Sequence, residues 1–256
     1  MGKEIDRLID IVARLRSPEG CPWDREQTHQ SLVSCLLDEA YEFIEVAEKN
    51  DMPKMREELG DIMLQVALHA QMASEKGEFT IEDVAKEINE KLIRRHPHVF
   101  GALEVSSSEE VTHNWEKLKK EEKKRESVLD DIPLAMPALF RAEKVQRRAA
   151  RVGFDWPAIG PVLDKVEEEF REFREAIESG GDSHAGEELG DILFALVNVA
   201  RHHGISAEDA LRNATGKFIR RFRYVEKKFA EQGNDMSKAS LEQMDVYWEE
   251  SKKALG

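Results

Sequence analysis

Cysteine is nearly missing from this chain. Cys21 and Cys35 are the two present in 256 residues, too few for a disulfide framework, and a reducing cytoplasm is the expected compartment. Aromatic residues make up only 7%, and the β-branched runs that mark strands are scarce. No apolar run approaches the roughly 18 residues that a membrane span needs. The opening MGKEIDRLIDIV is charged from its third residue and lacks the apolar centre of a signal peptide. Glycine-rich phosphate loops, cysteine pairs at zinc spacing and a Ser or Cys nucleophile signature are all missing. The histidines form no metal motif: Pro97 interrupts a helix between His96 and His98, and His202 with His203 precede a helix-ending glycine, as capping residues do. A net charge of −14 disfavours nucleic-acid backbone as a partner, since no basic excess offsets the field.

Glu, Lys, Leu, Ala and Arg dominate instead, with 41% hydrophobic and 35% charged residues, a helix-forming composition. Leu36, Ala40, Phe43 and Ala47 recur at helical steps and predict one core stripe; Leu59, Ile62, Met63 and Val66 predict another. Asp51 with Pro53, Thr80 with Asp83, and Ser206 with Asp209 read as helix starts, while Gly77 and Gly204 read as stops. About ten helices and no strand are expected, an all-α chain.

The chain also repeats itself. EELGDI occurs at Glu57 to Ile62 and again at Glu187 to Ile192. Glu39, Glu42, Glu58 and Asp61 are spaced three, sixteen and three, and Glu169, Glu172, Glu188 and Asp191 keep those spacings 130 residues later. The offset then falls to 126, where Lys91, Arg94 and Arg95 match Lys217, Arg220 and Arg221, so the second copy is four residues shorter, about one helical turn. Farther on it rises to 133, where Trp115 and Lys119 match Trp248 and Lys252; Trp23 and Trp156 share that offset. These offsets describe a tandem duplication of one helical unit, residues 1–130 and 131–256, with the boundary in the proline-interrupted stretch near 126–137.

Carboxylates three apart share a helix face. Glu39 and Glu42 therefore project together, as do Glu58 and Asp61, and the short link around Lys49 to Pro53 makes the two helices antiparallel neighbours. Four converging carboxylates repel one another unless a cation sits among them. Mg²⁺ or Mn²⁺ suits such oxygen ligands and leaves room for water and phosphate. Gly60 and Gly190, each costing a helix roughly 1 kcal/mol relative to alanine, suggest that a neighbouring helix or a ligand comes close. The trios Lys91, Arg94, Arg95 and Lys217, Arg220, Arg221 each share one face and suit phosphate oxygens. Trp115 with Lys119, and Trp248 with Lys252, place an aromatic and a cation one turn apart, for a nucleobase or for the core. A ferritin-like di-iron bundle is a poor fit, because it needs Glu-x-x-His pairs. A non-enzymatic helical nucleotide-binding or interaction module explains the charges but not the recurrence of four acidic spacings beside a basic trio.

Together these residues resemble the MazG family of nucleoside triphosphate pyrophosphohydrolases, an all-α NTP pyrophosphatase group. The resemblance spans nearly the whole chain and rests on GCPWDREQTH (Gly20 to His29), the two carboxylate pairs of each copy, RRHPHVFG (Arg94 to Gly101), and Lys217, Arg221, Trp248 and Lys252. It implies Mg²⁺-dependent cleavage of NTPs or dNTPs between the α and β phosphates to a monophosphate and pyrophosphate, with a role in nucleotide-pool housekeeping and the starvation response. It implies homodimers whose protomers complete each other's sites. It also implies that the second domain is the main catalytic one, although the first copy here keeps its carboxylates and its basic trio. One glutamate of each cluster binds metal or takes the proton of the attacking water, and Glu39 and Glu169 are assigned that base role.

Overall fold

The computed structural model describes residues 2–107 and 126–256 apart from 181, and 110, 111, 114, 115 and 118 between them. Every regular element among these residues is helical. The chain divides into two compact units, Met1–Lys123 and Lys124–Gly256.

In the first unit α1 (Lys3–Arg16), α2 (Pro22–Glu26), α3 (Val33–Glu48), α4 (Met52–Glu75), α5 (Ile81–Arg95) and α6 (Pro97–Phe100) follow in order. The starts and stops obey local chemistry. The Asp51 side chain accepts from the Lys54 amide, and Thr80 and Asp83 form a reciprocal capping box. Gly77 ends α4 at φ +71°, the left-handed conformation that glycine adopts without strain. Helices α1, α3 and α5 all pack on α4. Val12, Leu32, Ala67, Leu68 and Met72 form the core, with Leu8, Cys35 and Leu64 against it. Arg16 locks the α2 turn onto this bundle. It grips Glu75 through two 2.9 Å hydrogen bonds and donates to the Asp24 and Gln27 carbonyls. Gly20 sits under the end of α1, where a Cβ would lie 2.2 Å from the Leu15 carbonyl oxygen, so no other residue fits.

The second unit contains α7 (Ala138–Ala150), α8 (Ile159–Glu178), α9 (Asp182–His202), α10 (Ala207–Glu231), a 3-10 turn (Met236–Lys238) and α11 (Leu241–Leu255). The α8–α9 pair repeats α3–α4, α7 packs on α9 as α1 does on α4, and α10 packs on α11. Gln146 of α7 donates to the Phe194 carbonyl of α9 at 2.8 Å. Arg148 donates to the Val128 and Asp130 carbonyls, which ties the segment before α7 into this unit. Ser206 caps α10, and Gly204 ends α9 at φ +68°.

The expected core stripes are only partly covered within the chain: Ala40, Phe43, Ala47 and Ile62 are half-buried, and the other four residues are exposed. Leu36 is 37% exposed, and Leu59, Met63 and Val66 are 43–45% exposed; the buried face of α4 is Gln65, Ala67, Leu68, Ala70, Met72 and Ala73. The second unit does the same at the equivalent positions, with Leu189, Leu193 and Leu196 43–47% exposed. Periodicity finds an apolar face but does not name the surface that covers it. Among the described residues no helix is long and apolar enough to cross a membrane.

Candidate active site

The carboxylates meet where paired helices lie side by side. In the first unit Glu39 on α3 and Glu58 and Asp61 on α4 each offer an oxygen within 4.8 Å of the others, and all three are half-buried. Glu42 is exposed and stands outside that trio, although its charge acts on both Glu39 and Glu58. The charge of Asp61 acts on Glu39 and that of Glu42 on Glu58, as expected if α3 and α4 run antiparallel. Burial, then Asp61, Glu42 and Asp38, raise the proton affinity of Glu39 above the carboxylate norm. Burial also leads for Glu58, followed by Glu42, Glu57, Asp61 and Glu39. The charges that act on these two glutamates are all negative.

In the second unit the converging trio is Glu169 and Glu172 on α8 with Glu188 on α9. Asp191 is exposed and stands aside, acting on Glu188 only through its charge. Burial and Glu172 raise the proton affinity of Glu188, and His184, 3.5 Å away, works against them. Glu169 is 5% exposed, and Lys165 lies 2.7 Å from its Oε1. The same ammonium reaches Glu168 at 2.7 Å, and hydrogen bonds to Glu168 and Glu169 hold it firmly protonated. Lys165 and His184 were readable in principle, since each lies four residues before a cluster glutamate, the i,i+4 spacing of neighbours on a helix.

Within the basic trios, Lys91, Arg95 and Arg221 have neighbours near their own helix ends. Lys91 approaches Glu87 at 4.0 Å, Arg94 is exposed, and the Arg95 guanidinium lies 5.6 Å from the centre of the Trp115 ring. His96 meets that ring edge-on at 4.8 Å. Lys217 and Arg220 are exposed, and Arg221 donates to the Gly256 carbonyl at 3.2 Å. Trp248 is half-buried against Phe218 at 5.1 Å, and Lys252 pairs with Glu249. Lys119 lies outside the described residues. The close approach expected at Gly60 and Gly190 does not occur inside the chain, where a Cβ at either position would meet nothing within 4 Å.

Sequence reasoning passed over two clamps that seat the segment before each cluster helix. In the first unit the Nδ1 atoms of His29 and His69 lie 2.8 Å apart with the rings stacked. In the second, Arg201 grips Asp155 and Asn198, and His202 reaches Asp155 at 3.2 Å; His202 thus holds a carboxylate and is no mere helix cap. Neither partner of either clamp is close in sequence to the other, so no local spacing announces them.

A profile described as the MazG nucleotide pyrophosphohydrolase domain matches residues 27–100 and again 161–225, the segments that hold α3–α5 and most of α8–α10. The chain belongs to the MazG family. It is 48% identical over 256 residues to the nucleoside triphosphate pyrophosphohydrolase of Escherichia coli (strain K12), covering 98% of this chain and 97% of that one. It is 45% identical over 249 residues to the nucleoside triphosphate pyrophosphohydrolase/pyrophosphatase MazG of Thermotoga maritima, covering 96% and 95%. Each MazG match contains one complete carboxylate set and one basic trio.

Proposed function

We propose that this protein hydrolyses nucleoside triphosphates, ribo- and deoxyribo-, between the α and β phosphates to a monophosphate and pyrophosphate, with Mg²⁺ or Mn²⁺ as cofactor. The observation that carries the reading is the doubled carboxylate trio, built from three oxygens within 4.8 Å of one another in each unit. Oxygens gathered within that limit can share one octahedral Mg²⁺, whose opposite ligands stand about 4.2 Å apart. The self-repulsion of Glu39, Glu58 and Asp61 gives a divalent ion an energetic reason to bind. The near full-length likeness to two proteins named as nucleoside triphosphate pyrophosphohydrolases supports the same chemistry.

Glu39, Glu58 and Asp61, with Glu42 beside them, would hold metal in the first unit; Glu169, Glu172 and Glu188, with Asp191 beside them, would hold it in the second. A bound ion would neutralise phosphate charge and acidify a water. Glu39 and its counterpart Glu169 are assigned to take that water's proton. Lys91, Arg94 and Arg95, with Lys217, Arg220 and Arg221, would steady the outer phosphates and favour pyrophosphate as leaving group. Trp115 with Lys119, and Trp248 with Lys252, would border the nucleoside. The second unit is the main catalytic one in this reading, and the activity serves nucleotide-pool housekeeping and the starvation response in the cytoplasm.

The protein acts as a homodimer. The stripes Leu59, Met63, Val66 and Leu189, Leu193, Leu196 share their helices with the metal ligands, and the open faces of Gly60 and Gly190 leave room for a second copy. Such a copy would also shield the carboxylates from water. The test is product analysis: with Mg²⁺, ATP should give AMP and pyrophosphate. Release of ADP and inorganic phosphate would contradict the reading.

A further inference from the structure

Glu169 is almost wholly buried, and a buried carboxylate requires a partner. Its partner is Lys165, one turn earlier on α8, whose Nζ lies 2.7 Å from Glu169 Oε1. On a bare helix, lysine four residues ahead of glutamate is the weaker orientation of such a pair. The close contact at a nearly buried oxygen therefore reflects the demand of the site more than helix propensity.

The first unit offers the contrast. The position 130 residues before Lys165 is Cys35, which packs against the core of Val12, Leu32, Ala67, Leu68 and Met72. Its thiol carries no charge to Glu39, whose neighbours Asp61, Glu42 and Asp38 are all acidic. One copy thus has an internal cation on its deepest carboxylate, and the other has none there. Near the second cluster His184 adds a further group, 3.5 Å from Glu188.

We propose that Lys165 is a built-in counter-ion of the second carboxylate cluster, so that the two clusters of this chain bind divalent metal unequally, the first tightly and the second weakly. The proposal rests on the reading of both clusters as metal sites. A metal ion entering the second trio must take Glu169 from a charge-assisted hydrogen bond. The displaced ammonium stays tethered one turn away and repels the ion. An ion entering the first trio meets only carboxylates. The first cluster therefore fills at low free metal, and the second fills at higher concentration.

Mn²⁺ titration of the full chain without nucleotide, followed by calorimetry, tests this. The wild-type protein should show two phases separated by about tenfold or more in affinity. Glu58→Gln should remove the tight phase and Glu188→Gln the weak one. Lys165→Met should tighten the weak phase by about tenfold, whereas Lys165→Arg, which keeps the charge, should leave it weak. Circular dichroism checks that both variants stay folded. An unchanged weak phase in Lys165→Met overturns the counter-ion role while leaving both metal sites standing. Two equal phases in the wild type also overturn it. No Mn²⁺ binding at either cluster overturns the metal reading and this proposal together.

Discussion

The two units of this chain keep the same helices and the same acidic spacings, yet they balance them differently. The first cluster is electrostatically bare: Glu39, Glu58 and Asp61 converge with only further carboxylates acting on them. The second is partly neutralised, with Lys165 on Glu169 and His184 near Glu188. The third oxygen also comes from a different place, Asp61 of α4 in one unit and Glu172 of α8 in the other. The seating of the preceding segment follows the same split, a histidine–histidine contact in the first unit and an ion-paired arginine in the second. Duplication has preserved the carboxylate spacings while the charges around them diverged. Equal spacing in sequence therefore does not imply equal function in the two halves.

The largest effect is expected at the cluster carboxylates. Glu42→Gln and Glu172→Gln together should lower pyrophosphate release from ATP by about a hundredfold or more, measured at saturating Mg²⁺. Alone, Glu172→Gln should account for most of that loss, because Glu172 belongs to its trio, whereas Glu42 stands outside its own. A greater loss from Glu42→Gln than from Glu172→Gln would reverse the assignment of the main catalytic unit. An undiminished rate in the double variant would remove the metal clusters from the mechanism altogether.

The next effect concerns the shared apolar stripe. Met63→Glu or Leu193→Glu puts a charge on a face that is 43–46% exposed in the single chain. If that face is a dimer interface, either change should shift sedimentation toward the monomer at micromolar protein, while helix content stays native. A monomeric wild type would break this expectation. Equal shifts from both variants would mean that the two units contribute alike, and unequal shifts would rank them.

Much of this was legible in advance. The helix starts at Asp51, Thr80 and Ser206, the stops at Gly77 and Gly204, and the duplication all follow from local chemistry and spacing, because caps and turns are decided within a few residues. The convergence of Glu39 with Asp61, and of Glu169 with Glu188, followed from short links between paired helices. The exposure of the Leu59–Met63–Val66 stripe was not legible, since an apolar face looks the same whether its own chain or another copy covers it. The same limit explains Gly60 and Gly190, whose open sides face nothing in this chain. His29 with His69 and Asp155 with Arg201 pair across 40 and 46 residues, beyond the reach of any helical period.

A smaller effect should appear in stability against pH. Glu39, Glu58 and Glu188 have proton affinities raised above the ordinary carboxylate value of 4.5. A raised carboxyl favours folding while it is protonated, and that contribution is lost as pH rises through the raised folded value. Metal-free protein should therefore lose part of its stability as pH climbs from about 4.5 toward neutrality. The rise in melting temperature on adding Mg²⁺ should be larger at neutral pH than at pH 5, which differential scanning calorimetry would show. Asp155 behaves oppositely. Hydrogen bonds from Arg201 lower its value below 3.8, so its contribution is lost only in stronger acid.

The smallest effect separates the two clamps. Burial first, and then His29, lower the proton affinity of His69 below its ordinary 6.5. The folded first unit thus favours a neutral His69, and that stability is present above 6.5 and lost as pH falls through the lowered folded value. Protonating both rings would also replace their 2.8 Å hydrogen bond with repulsion. The second clamp has no such weakness, because Asp155 stays ionised and Arg201 stays charged through this range. Hydrogen exchange followed from pH 7.5 to 5.5, corrected for the intrinsic rate, should show amides near residues 27–32 losing protection while those near 154–158 keep theirs. His69→Gln should reduce the acid-induced loss of protection near residues 27–32, because its amide does not titrate and can still accept from or donate to His29. Equal loss in both segments would mean that the acid sensitivity arises elsewhere, and that the clamps differ in chemistry without differing in consequence.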